Sequence, residues 1–97
     1  MTGNSSEKAY RVVVHGEVTG VGFRFSTVRE ARRYPDLKGY VRNRGPRTVE
    51  CVAQGPEPDV SRFVEWVKHG PSSARVESAE VSELSPSADR GSFDVAY

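Results

Sequence analysis

Cysteine occurs once in the 97 residues, at Cys51, so no intramolecular disulfide is available to brace the chain. No apolar run approaches the roughly 20 residues that a membrane-spanning helix needs. Met1 to Lys8 is polar and lacks the apolar stretch of a secretion signal. Charge of one sign is not in excess. The 14 Lys and Arg against 13 Asp and Glu leave a formal net charge of +1, which gives no global attraction to nucleic acid or to an anionic membrane. Histidine is scarce: His15 and His69 stand alone, with no carboxylate or thiolate at a metal-ligand spacing. With 36% hydrophobic and 28% charged residues, the composition is that of one folded unit, large enough for two layers around a single core. The expected state is a cytoplasmic monomer without cofactor or metal, with residues 1–8 as a disordered arm and 9–97 as one domain.

What is present is periodic. Tyr10, Val12 and Val14 alternate with Arg11, Val13 and His15, a period of two that predicts a strand with one apolar face. A glycine-rich turn, Gly16 to Gly22, follows. Phe23 to Tyr34 reads as a helix ended by Pro35-Asp36. Leu37–Asn43 and Thr48–Gln54 read as a hairpin with a medium loop, Arg44 to Arg47. Val60, Phe63, Val64 and Val67 share one helical face, with Asp59 as the expected N-cap and Gly70-Pro71 as the stop. Ala74 to Leu84 contains a fourth strand, Ser85 to Gly91 is a polar turn, and Phe93, Val95 and Tyr97 alternate as a short last strand. The order βαββαβ plus a terminal strand implies two interleaved right-handed crossovers. Both helices then lie on one face of an antiparallel or mixed sheet, the ferredoxin-like α+β sandwich. In that arrangement strands one and two run parallel with strand three between them. Their C-terminal ends share an edge, roughly 10 Å apart, so the glycine-rich turn and Asn43 are expected to face each other.

Arg24 lies within the apolar stripe Phe23, Thr27, Val28, Ala31 and Tyr34 of the first helix, and in its first turn. An arginine on an inward face is seldom buried without a partner, and the helix dipole disfavours a cation there. A bound anion would answer both penalties: loop N–H groups and a guanidinium fork suit phosphate oxygens, each charge-assisted hydrogen bond contributing about 1.5–3 kcal/mol. The alternative, that Arg24 reaches solvent and pairs with a local carboxylate, stays open at this point. Other phosphate machinery is absent. Gly16 to Arg24 has no Gly-Lys-Ser/Thr ending, and Phe25 stands where a dinucleotide loop needs its third glycine. Glu57 rather than arginine follows Cys51 by six positions, and no Asp-x-Asp pair offers a nucleophile. Phosphate chemistry here would use water directly, without a covalent intermediate or metal. Cys51 reads as strand filler, His69 as a cation at a helix C-terminus, and His15 as exposed.

The stretch Val14 to Arg24 closely resembles the acylphosphatase signature, as do Gly39-Tyr40-Val41-Arg42-Asn43, Val49-Glu50, Ala53-Gln54-Gly55 and Gly70-Pro71 through Ala74 and Val76. The resemblance covers residues 10–97. It implies hydrolysis of the carboxyl–phosphate bond of acyl phosphates, with inorganic phosphate as product and competing ligand. It further implies a phosphate-binding loop Glu17, Val18, Thr19, Gly20, Val21 and Gly22 together with Arg24, and Asn43 as the residue that orients the attacking water. Catalysis would then rest on positioning and on charge stabilisation by preset donors. Three departures stand out. Thr19 occupies a place where the family usually has glutamine, the Tyr34 to Leu37 connection is about one residue longer, and Asn43 to Arg47 replaces an Asp-Gly type of turn.

Around these residues, Arg42, Arg44 and Arg47 flank Asn43, while Arg29, Arg32 and Arg33 stud the first helix. They read either as a local field for an anionic substrate or as solvated surface. Phe25 falls off the apolar stripe and is taken as a surface aromatic, with contact to the acyl group as the alternative. Trp66 is expected to pack beside the core. Two rival functions are weighed. An RNA-binding module of the same fold needs stacking aromatics on its central strand, where Val49, Cys51 and Ala53 offer none. A relative of the acylphosphatase-like domain of hydrogenase-maturation proteins would be followed by a cysteine-rich region, and Tyr97 is the last residue.

Overall fold

Alternating valines and one strongly amphipathic stretch, Val60 to Val67, give the secondary structure much of its order. In a computed structural model, which describes residues 7–97, β1 (Glu7–Glu17) leads through a loop to α1 (Phe23–Ala31). Next come β2 (Lys38–Gly45) and β3 (Thr48–Pro56), then α2 (Glu57–His69), β4 (Arg75–Leu84) and a two-residue β5 (Asp94–Val95). The five strands form one sheet in the order β4-β1-β3-β2-β5. β1 pairs antiparallel with β3 and β4, β2 antiparallel with β3, and β5 parallel with β2. β1 and β2 therefore run parallel with β3 between them. This is the ferredoxin-like α+β arrangement with an added edge strand.

Register explains the core. Val12 lies opposite Cys51, Val14 opposite Val49 and Val41 opposite Cys51, so these side chains share one sheet face. Phe23 and Ala31 of α1 and Val60, Phe63, Val64 and Val67 of α2 join them in one buried cluster. Burying such a side chain contributes about 1.5–3 kcal/mol. Phe63 holds the centre, edge-on to Tyr34 and Phe93 at 6.4 and 5.1 Å between ring centroids. Trp66 packs tilted on Phe23 at 6.4 Å.

Several element ends differ from the expectations. The arm was expected to reach residue 8, but Glu7 and Lys8 already pair with Pro56 and Gly55; the rest of the arm lies outside the described residues. α1 stops at Ala31, and Tyr34 N–H turns back to the Ala31 carbonyl, ahead of Pro35, which disfavours helical backbone angles at Tyr34. Asp59 is not the N-cap of α2. Pro56 is, and no side chain caps it. Pro58 is accommodated in the first turn, where its missing N–H has no partner to lose, and Glu57 and Asp59 there complement the dipole. The hairpin loop is only Pro46-Arg47. Arg44 forms a bulge between Asn43, opposite Val49, and Gly45, opposite Thr48. At the end of α2, Gly70 has φ 71° and ψ −174°, with ψ extended ahead of Pro71. A Cβ at Gly70 would lie 2.4 Å from the Phe23 ring.

Candidate active site

The site is assembled where β1 and β2 leave the sheet. Val18, 1% exposed, pins the loop after β1 into the core. The Gly16 N–H donates to the Arg47 carbonyl at 3.0 Å, and the Thr19 hydroxyl donates to the Pro46 carbonyl. On the other side the Ser73 hydroxyl donates to the Val21 carbonyl at 2.9 Å. The loop is thus fastened to the β2–β3 turn at one flank and to the segment after α2 at the other. Gly20 and Gly22 have φ of 72° and 75°. A Cβ at either would meet nothing within 4 Å, so glycine is required by the dihedral and not by lack of space.

α1 begins with no capping side chain and no acidic residue in its first turn. Its first N–H groups and the positive end of its dipole are therefore left without a carboxylate partner from that turn. Arg24 stands in this turn, half-buried. Asn43 lies two residues beyond buried Val41 on the helix-bearing face of β2. Both line one cavity of about 240 Å³, smaller than the roughly 300–1,000 Å³ clefts that take drug-sized ligands. The loop contributes Val18, Thr19, Gly20 and Gly22 to this cavity, α1 contributes Phe23, Arg24 and Phe25, and the end of the chain contributes Val95 and Tyr97. Among the described residues no Asp or Glu lines it, and none pairs with Arg24. Glu17 and Val21 are not among the lining residues. Glu17 closes β1 opposite Arg75, exposed, and Val21 packs partly against the core.

The other cations near Asn43 are matched. On the opposite sheet face Glu50, 3% exposed, accepts from Arg42 Nε at 2.7 Å and Arg11 Nε at 2.9 Å, and Arg44 lies 4.0 Å away. The hydrogen bond to Glu50 holds the Arg42 pKa above its ordinary value. Arg47 pairs with Glu77 at 2.9 Å. Arg24 is therefore the cation left to act in the cavity. Burial removes Cys51 from reactivity by pushing its thiol pKa up. His69 Nδ1 is 2.8 Å from the Glu65 carbonyl, so that nitrogen carries the hydrogen, and His15 Nε2 sits 3.3 Å from Glu80. Neither histidine lines the cavity, and among the described residues no group of three or more His, Cys, Asp and Glu gathers as a metal site. The helix-free face of β3 carries Thr48, Glu50, Val52 and Gln54, the last three buried, again without a stacking aromatic.

Two features of the site were not read from the sequence. Tyr97 lies with its ring centroid 5.6 Å from the Arg24 guanidinium carbon. The alternation of Phe93, Val95 and Tyr97 indicated a strand but not which sheet edge it joins. The Thr19–Pro46 bond is the second. It links two of the three departures noted above, so the threonine and the altered turn act as one fastening.

A family model described as Acylphosphatase matches residues 10–95. An acylphosphatase of Burkholderia thailandensis is 45% identical over 76 residues, covering 78% of this chain and 76% of that protein. The crystal structure of acylphosphatase from Bacillus subtilis superposes with a TM-score of 0.84 at 38% identity, covering 93% of this chain and 99% of that one. Full-length HypF, solved in a phosphate- and nucleotide-bound form, matches with a TM-score of 0.78 at 26% identity. There 95% of this chain corresponds to 12% of the larger protein.

Proposed function

This chain belongs to the acylphosphatase family and hydrolyses the carboxyl–phosphate bond of acyl phosphates, and from that premise we propose that Arg24 holds the phosphoryl group while Asn43 places the attacking water. The guanidinium edge and main-chain N–H groups of the loop residues that line the cavity, Val18, Thr19, Gly20 and Gly22, receive the phosphoryl oxygens. The start of α1 adds its dipole. The Asn43 carboxamide oxygen accepts a hydrogen bond from water and aligns it opposite the carboxylate leaving group. Oxygen attacks phosphorus, the phosphorus–oxygen bond to the acyl group breaks, and the carboxylate departs with its electron pair. A carboxamide is too weak a base to take the water's proton, so a phosphoryl oxygen of the substrate takes it. The leaving carboxylate needs no acid. Charge is met by fixed donors and one arginine, and no step calls for a metal.

One observation carries this reading: Arg24 and Asn43, supplied by different elements, open onto a single cavity with no Asp or Glu side chain in its lining among the described residues. The test is hydrolysis of benzoyl phosphate in the presence of a chelator. Arg24→Ala and Asn43→Ala should each lower kcat/KM by about 10³-fold or more, by analogy with loss of one transition-state donor, with unchanged far-UV circular dichroism. Turnover by Asn43→Ala within tenfold of wild type would reject the water-positioning role. Inorganic phosphate should inhibit competitively as the product. The same reading takes the enzyme as a cytoplasmic monomer acting on small molecules without nucleic acid or membrane, and sedimentation equilibrium checks its mass.

A further inference from the structure

Among the described residues three large hydrophobic side chains are exposed: Phe25 at 84%, Val81 at 44% and Tyr97 at 103%. Scattered singly, such residues need no explanation. Here the two most exposed, and the only aromatics of the three, line the cavity that holds Arg24 and Asn43. They reach it from distant points of the chain. Phe25 follows Arg24 in the first turn of α1. Tyr97 is delivered by the parallel pairing of β5 with β2, in which Val41 lies opposite Val95 and the Ala96 N–H donates to the Val41 carbonyl at 2.9 Å. That pairing carries the last residue toward the level of Asn43, over the guanidinium of Arg24.

The lining residues fall into two chemical sets. Thr19, Gly20, Gly22, Arg24 and Asn43 are the polar or small set, and Phe25, Val95 and Tyr97 are apolar side chains beside them, with Val18 and Phe23 buried beneath. The Arg24 guanidinium carbon lies 5.6 Å from the Tyr97 ring centroid and so links the two sets. A guanidinium attracts an aromatic ring through its flat face and donates hydrogen bonds through its edge. Contact with Tyr97 therefore leaves the N–H fork free for phosphoryl oxygens. An acyl phosphate has the same division, with an anionic phosphoryl end and an acyl end of variable apolarity. We infer that Phe25 and Tyr97 form an acyl-group subsite, and that the enzyme selects aromatic or bulky apolar acyl phosphates over acetyl phosphate. The inference rests on the assignment of Arg24 and Asn43 above, because that assignment orients the substrate with its acyl group toward the two rings.

The test compares benzoyl phosphate with acetyl phosphate in wild type, Phe25→Ala, Tyr97→Ala and the double variant. The ratio of their kcat/KM values is the readout, since the intrinsic reactivity difference between the two substrates cancels across variants. The ratio should fall about tenfold in the double variant, the scale on which a small apolar contact discriminates substrates, and Tyr97→Phe should restore the Tyr97 share. Both side chains are exposed, so the variants should fold, as thermal unfolding will verify. Calorimetric binding of phenylphosphonate against methylphosphonate supplies the same ratio without turnover, and it too should fall about tenfold. A ratio unchanged in the double variant overturns the subsite. A phosphonate ratio that falls while Asn43→Ala retains turnover upholds the subsite and indicts the catalytic assignment instead.

Discussion

Cys51 shows what burial does to one residue. Its side chain is fully enclosed, and burial raises its pKa because a thiolate there would lose its hydration. In the unfolded chain the thiol ionises near its ordinary value of about 8.5. Below that value both states hold the proton and stability is unaffected. Above it the unfolded state binds fewer protons than the native one, so stability falls as pH rises, by about 1.4 kcal/mol per pH unit. Between pH 8 and pH 10, wild type should lose about 2 kcal/mol more than Cys51→Ala, whose baseline is lower but whose alkaline slope lacks this group. Urea unfolding at the two pH values measures it, and parallel losses in the two proteins would refute it. That Arg24 and Asn43 would meet at one sheet edge was legible from the strand order and from a cation in an apolar stripe at a helix start, and both line one cavity, whereas their roles came from the resemblance. Tyr97 was not legible, because nothing local distinguishes it from the end of an ordinary strand. Only the edge to which β5 docks gives it a partner.

At the scale of elements, the loop and the β2–β3 hairpin behave as one unit. The Thr19 hydroxyl and the Gly16 N–H reach the carbonyls of Pro46 and Arg47, the two turn residues. Asn43 lies just before the bulge at Arg44 that leads into this turn. On the reading proposed above, Thr19 acts as a positioning residue that sets the distance between the loop and the Asn43 carboxamide. Thr19→Val keeps the shape and removes the hydroxyl. It should lower kcat for benzoyl phosphate by about tenfold, less than the roughly 10²-fold associated with a 1 Å displacement, because the Gly16–Arg47 bond remains. Thr19→Ser should recover most of the loss, a rescue that a packing role would not produce. An unchanged kcat in Thr19→Val would remove the fastening from the account. Strand and helix identities were readable from periods of two and 3.6, since those follow from which face meets the core. Ends were harder where two local preferences compete. Pro58 fits a first turn as well as it marks a boundary, which hid the early start of α2. A hairpin of Arg44-Gly45-Pro46-Arg47 reads equally as a four-residue loop or as a bulge followed by a two-residue turn.

For the whole molecule, the site joins distant parts of a small domain whose net stability is expected to be modest. The cavity takes residues from the β1–α1 loop, from β2 and from the end of the chain, so an anion seated there ties together segments that separate on unfolding. Inorganic phosphate at about 100 times its dissociation constant should add about 2.7 kcal/mol, which for a domain of this size is a rise in Tm of roughly 10–20 °C. Phosphate also stabilises proteins without binding, through exclusion from their surface, and the two variants separate these effects. Arg24→Ala should retain only the small rise from exclusion. Asn43→Ala should keep most of the full rise, because on the proposed reading the carboxamide addresses the water and not the phosphate. Calorimetric Tm values at constant ionic strength, with chloride replacing phosphate, decide the matter. If Asn43→Ala lost the rise as completely as Arg24→Ala, the carboxamide would belong to the phosphate cradle, and the division between holding the anion and placing the nucleophile would have to be abandoned. If neither variant lost it, the anion would be bound elsewhere on the molecule.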